Sequence, residues 1–173
     1  MFPGGSDLRL DCEEVDPKEM PSPYRNLLVH SNHLTAVLTR HYGMCMDLHI
    51  RDIRQEGELY SRKILLALTE TPLVASHGIA RIDLGRLTPR VRDAVIREHA
   101  PLGSILINHN VMRRIEPRWY LRFALRSAIL EWFEAQTAGP LYGRVTTIYC
   151  DLEPAIELLE IVTGLSRRTS PPP

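Results

Sequence analysis

Two pairs of apolar runs, each pair joined by a short polar turn, constrain this chain most. Leu59 to Leu68 and Leu73 to Ile82 flank Thr69-Glu70-Thr71-Pro72, and Leu141 to Cys150 and Pro154 to Val162 flank Asp151-Leu152-Glu153. Runs of this length, bounded by turn formers, read as antiparallel hairpins. A further strand precedes them. Met44, Met46, Leu48 and Ile50 alternate with Cys45, Asp47, His49 and Arg51, the period-two pattern of a half-buried strand.

Between these runs the period changes. From Tyr24 to Tyr42 the residues Leu27, Leu28, Leu34, Val37, Leu38 and Tyr42 recur at three-, four- and seven-residue intervals, which predicts one or two amphipathic helices, with Asn32 as a cap for the second. Thr88-Pro89 places a capping residue before a proline suited to a first helical turn, so a helix runs through Val91, Val95 and Ile96 to about His99. Pro101 then opens a short helix carrying Leu102, Ile105 and Leu106. Val111 to Gln136 reads as a strand passing into a helix from Ala124 to Ala135. Hairpins and helices in mixed order predict an α+β fold in which helices flank an antiparallel sheet.

With 173 residues and 44% hydrophobic content the chain has enough material for one domain and its core. That domain is expected over residues 24–163, between an extended arm at 1–23 and a disordered tail at 164–173. Lys plus Arg and Asp plus Glu balance at 21 each, so no basic field is available for a phosphate backbone and nucleic acid is not an expected partner. Cys12, Cys45 and Cys150 have neither disulfide-framework nor C-x-x-C spacing, which suits a reducing compartment. Met1 to Asp16 lacks the basic start and apolar run of a signal peptide, and no apolar stretch approaches a membrane span, so a soluble cytoplasmic protein is expected. His30, His33, His41, His49, His99 and His109 show no H-E-x-x-H or Cys/His spacing, so no metal is expected.

Three segments in fixed order carry the chemistry: Arg62-Lys63-Ile64-Leu65-Leu66, Pro101-Leu102-Gly103-Ser104-Ile105-Leu106, and Gly143-Arg144 leading through Glu153-Pro154 to Glu160. Together they resemble the chorismate pyruvate-lyases, from about Leu34 to Val162. That resemblance implies an antiparallel six-stranded sheet whose helical flaps cover a buried ligand cavity. It also implies a carbon-oxygen lyase, of the EC 4.1.3.40 type, that eliminates pyruvate from chorismate to give 4-hydroxybenzoate, with no cofactor. Arg62 stands where the family binds a substrate carboxylate, a task suited to the bidentate fork of a guanidinium. Leu102 and Gly103 match the turn that lines the family's pocket, and Leu34 matches an apolar flap residue beside Thr35.

The family's site glutamate falls on Glu160 or Glu157. A one-residue bulge would turn Glu160 inward, since Glu157 faces outward if Ile156 and Leu158 face in. His77 takes the place of the family's second arginine and is not a fixed charge; Arg113 and Arg114 are the first candidates to compensate. The expected partner is thus a small-molecule carboxylate, with oligomeric state open. Two other readings stay open beside the lyase. One is an enzyme acting on another small aromatic or enol-ether acid. The other is the non-catalytic ligand-binding domain of certain transcription regulators, which shares the fold; against it, no helix-turn-helix fits ahead of Leu27.

Overall fold

The computed structural model describes residues 12–71, 73–97, 100–124 and 139–164. The strands are β1 (Cys12–Glu14), β2 (Met46–Glu56), β3 (Leu59–Leu68), β4 (Val74–Asp83), β5 (Arg113–Phe123), β6 (Leu141–Cys150) and β7 (Glu153–Val162). The helices are α1 (Tyr24–Leu28), α2 (Leu34–Tyr42), α3 (Pro89–Arg97) and α4 (Leu102–Asn108). All strand pairs are antiparallel, in the order β1-β5-β6-β7-β4-β3-β2, so the fold is α+β on one antiparallel sheet.

Both expected hairpins are present. β6 and β7 turn at Asp151 and Leu152, which take φ values of 49° and 72°, the left-handed pair that a two-residue hairpin turn favours. The sheet has seven strands where six were expected. The seventh is β1, which pairs with β5 from Cys12↔Phe123 to Glu14↔Leu121 and so gives part of the N-terminal segment a place in the sheet. His33, rather than Asn32, occupies the position before α2, with no side-chain cap, and Gly43 closes that helix at φ 70°. The expected arm before residue 12, the tail beyond 164 and the helix between 125 and 135 lie outside the described residues.

Strand alternation gives the sheet two faces. On one, Tyr60, Ala80, Ile82, Ile148 and Ile156 pack with Val91 and Val95 of α3 and Leu102, Ile105 and Leu106 of α4. Farther along the same face, Leu66, Tyr142 and Val162 pack with Leu27 and Leu28 of α1 and Leu34 and Leu38 of α2. The opposite face buries Leu65, Ile79, Phe123, Leu159 and Ile161. The two helix pairs therefore cover one face as separate lids, and the space between them sets the site.

Candidate functional site

Between the lids lies a narrow cavity whose floor is β4. Ser76, Gly78 and Ala80, alternate residues of that strand, face it with almost no side-chain bulk. Arg62, Ile64 and Leu66 of β3 form one wall, and Leu158 and Glu160 of β7 the other. His33, Leu34 and Thr35 roof it from α2, and Pro101, Leu102 and Gly103 from the start of α4. The gap leaves about 50 Å³ for the centres of water-sized molecules, enough for several waters.

Arg62 occupies a slot that the alternation of β3 gives to apolar residues: Tyr60, Ile64 and Leu66 share its face. It is only 2% exposed. Nη2 donates to Ala100 O at 3.3 Å, while Nε and Nη1 are buried with no partner among the described residues. Burial pulls its pKa below the ordinary value, and Tyr60 partly offsets this. The two bidentate forks of a guanidinium, Nε with Nη2 and Nη1 with Nη2, share Nη2, which carries one hydrogen for each. Whichever hydrogen Ala100 takes, one complete fork remains for a carboxylate.

Glu160 faces the cavity because β7 carries the bulge that the sequence called for. The pairing with β6 steps from Ile148↔Ile156 to Tyr149↔Pro154, leaving Ala155 as the extra residue, and Ile156, Leu158 and Glu160 then share the helix face. Its Oε2 accepts from Arg144 Nε at 2.6 Å. Arg144, 1% exposed, spends its other donors on the link between α1 and α2. Nη1 reaches Leu28 O at 3.0 Å, His30 O at 2.7 Å and His30 Nδ1 at 3.1 Å, and Nη2 reaches Asn32 O at 3.1 Å. The pair thereby fixes the segment that leads into the roof.

His33 closes the roof against α4, where Gly103 leaves room for its ring: a Cβ there would lie 2.6 Å from His33 Cγ. Burial first, then Arg113 and Arg144, push the His33 pKa down to about 4. The neutral ring accepts from Arg113 Nε through Nε2 at 2.9 Å.

Of the residues proposed from sequence, Leu34, Arg62, Leu102, Gly103 and Glu160 line this one cavity. His77 and Glu157 do not. His77 pairs with Leu65 and Ile161, so strand alternation turns it to the opposite face, where burial and then Lys63 lower its pKa to about 4. It replaces no second arginine. Glu157 also lies on that face, 3.6 Å from Arg81. Arg113 is spent on His33 and Val111 O, and Arg114 on Glu116 and the Tyr149 ring, 3.9 Å from its centroid. Sequence reasoning passed over the floor, although the small-residue alternation Ser76, Gly78, Ala80 is legible there. It also read Arg144 only as part of a hairpin motif.

A wider cleft of about 410 Å³ opens on the other face around Arg81, Arg118, Trp119 and Glu157. Arg81 pairs with Glu157 and Arg118 with Glu116 at 2.6 Å. It is larger and more open, but its two arginines are already paired; the narrow cavity between the lids holds an arginine with two unpartnered nitrogens among the described residues. Among the described residues no three His, Cys, Asp or Glu side chains cluster as metal ligands, and no helix is long and apolar enough to cross a membrane.

No protein-family model matches the sequence, and no curated protein does. The fold superposes on that of PhnF from Mycobacterium smegmatis with a TM-score of 0.58 and 10% identity, over 79% of this chain and 65% of PhnF. On the separate effector domain of PhnF the TM-score is 0.54 at 10% identity, over 78% of this chain and 89% of that domain. A GntR-family transcriptional regulator from Enterococcus faecalis V583 aligns with a TM-score of 0.47 at 7% identity, over 73% of this chain and 99% of that one. The fold is thus that of the PhnF effector domain.

This likeness overturns the expected lyase activity, and with it pyruvate elimination from chorismate, 4-hydroxybenzoate as product and a place in aromatic biosynthesis. The geometry agrees with the correction. The carboxylate expected to move a proton is clamped by Arg144. His77, the candidate for a second anion contact, faces the other side of the sheet.

Proposed function

We propose that this chain is a non-catalytic ligand-binding domain of the effector type, whose cavity holds a small carboxylate on Arg62. One observation carries the reading: a 2%-exposed arginine with two nitrogens unpartnered among the described residues, facing a narrow gap. Burying a charge without partners costs several kcal/mol unless something supplies them. An anionic ligand supplies them here. The apolar lining from Leu34, Ile64, Leu102 and Leu158 favours a short hydrocarbon body over a heavily hydroxylated one. Residues from the starts of both α2 and α4 line the cavity, so a bound ligand touches both lids and its occupancy is linked to their position.

Thermal unfolding with acetate, butyrate and benzoate tests this directly. Binding to the folded state alone raises Tm with ligand concentration, and Arg62→Met removes the shift. Equal shifts in the parent and in Arg62→Met would take Arg62 out of the site.

A further inference from the structure

Three side chains lining the cavity can carry charge: Arg62, His33 and Glu160. His33 is neutral at ordinary pH, since it accepts from Arg113 and its pKa sits at about 4. What remains is one cation and one anion at opposite walls. Arg62 pairs with Ala80, and Glu160 pairs with Gly78, two residues along the same strand. Two strand spacings across the sheet, about 10 Å, and two residues along it, about 7 Å, put their backbones about 12 Å apart. Only the Cβ-less Gly78 and the methyl of Ala80 lie on the floor between them.

We propose that Glu160 makes this cavity selective for ligands with a single negative charge, seating the anionic group on Arg62 and excluding dicarboxylates and dianionic phosphates. The inference rests on the reading of the cavity as the ligand site and adds which charges that site admits. An ionised carboxylate accepts hydrogen bonds and donates none, so the far end of a ligand must be apolar or a donor. A second negative charge there would meet an acceptor with no proton to give, and Arg144, which offsets part of the Glu160 charge through Oε2, makes no contact with the cavity. Glu160 cannot swing away, because Arg144 Nε holds Oε2 at 2.6 Å. Arg144 does not line the cavity, and its outer nitrogens are committed to Leu28, His30 and Asn32, so it does not offer the ligand a second cationic seat.

Calorimetric titration of the full chain at neutral pH with succinate, its monoamide succinamate, and butyrate tests the idea on ligands of similar length. Succinamate and butyrate are expected to bind at least about tenfold more tightly than succinate. Glu160→Gln should raise succinate affinity to within about threefold of succinamate. Because that substitution strips Arg144 of its counter-charge and can unfold the chain, discrimination by the parent protein decides the matter by itself. Succinate binding as well as succinamate in the parent would overturn charge selection while leaving Arg62 as the anion seat. Failure of all three ligands to bind, or undiminished binding by Arg62→Met, would overturn the site and the selectivity together.

Discussion

Arg62 and Arg144 lie on the same face of one sheet, with β4 and β7 between their strands, and are buried to the same degree, at 2% and 1% exposure. Their surroundings differ completely. Arg144 meets a carboxylate, three backbone carbonyls and an imidazole nitrogen. Arg62 meets one carbonyl, at 3.3 Å. Burial alone therefore does not distinguish a strut from a binding group; the account of donors and acceptors does. A charge whose every partner is built into the chain holds structure, and a charge left short of partners waits for one from outside.

The comparison is sharpened most by removing each arginine in turn. Arg144→Met leaves the Glu160 carboxylate without its cation and the carbonyls of Leu28, His30 and Asn32 without a donor, and should cost about 3–5 kcal/mol. A fall in the denaturant midpoint at unchanged m-value would measure it. A loss below about 1 kcal/mol would mean that Arg144 is not the strut described here. Arg62→Met should behave in the opposite way. The unliganded chain keeps or gains stability, because methionine fills similar volume with no donors to satisfy, while affinity for a small carboxylate falls about 100-fold or more, near 3 kcal/mol. Should Arg62→Met destabilise the unliganded chain as much as Arg144→Met does, the two arginines are both structural.

How far this contrast was legible in the sequence depends on what each residue's position required. The hairpins could be read because alternation and turn chemistry are local, and Arg62 was singled out by its place in the Arg62-Lys63-Ile64-Leu65-Leu66 motif. The bulge that turns Glu160 inward could be inferred, although its place at Ala155 emerges only from pairing with β6. The role of Arg144 was hidden, since its acceptors lie on a segment more than 110 residues away in sequence. His77 was misjudged for a different reason: an aligned position carries no information about which face a strand presents. A one-residue offset from Ser76 or Gly78 sends it to the apolar side.

His77 gives the next test, because it is buried yet holds no ligand-facing charge. Its pKa in the folded chain is about 4, lowered by burial and then by Lys63, against 6.5 for an ordinary histidine. Between those values the unfolded chain binds the proton that the folded chain refuses. Stability is therefore full above about pH 6.5 and is lost as pH falls towards 4, by up to about 3 kcal/mol from this residue. His77→Gln should remove that share of the pH–stability slope, leaving the share that His33 contributes over the same range, and leave carboxylate affinity at neutral pH unchanged. Loss of ligand binding in His77→Gln would mean that the far face reaches the cavity after all.

The smallest effect expected from the comparison concerns the roof that the Arg144 strut holds in place. Gly103→Ala would put a Cβ 2.6 Å from His33 Cγ, 2.8 Å from Nδ1 and 3.0 Å from Cβ, closer than such contacts allow. The imidazole must turn aside, and it then loses the 2.9 Å bond from Arg113. The core contacts of Leu102, Ile105 and Leu106 are untouched, so the stability cost should stay near 1 kcal/mol. The Arg62 fork is also untouched, so the ligand still finds its anion seat. What changes is the seal between the lids, which governs escape more than capture. Stopped-flow displacement of a bound carboxylate should show dissociation several-fold faster, with association little altered. An unchanged dissociation rate would show that His33 and Gly103 merely touch, and that the lids part elsewhere.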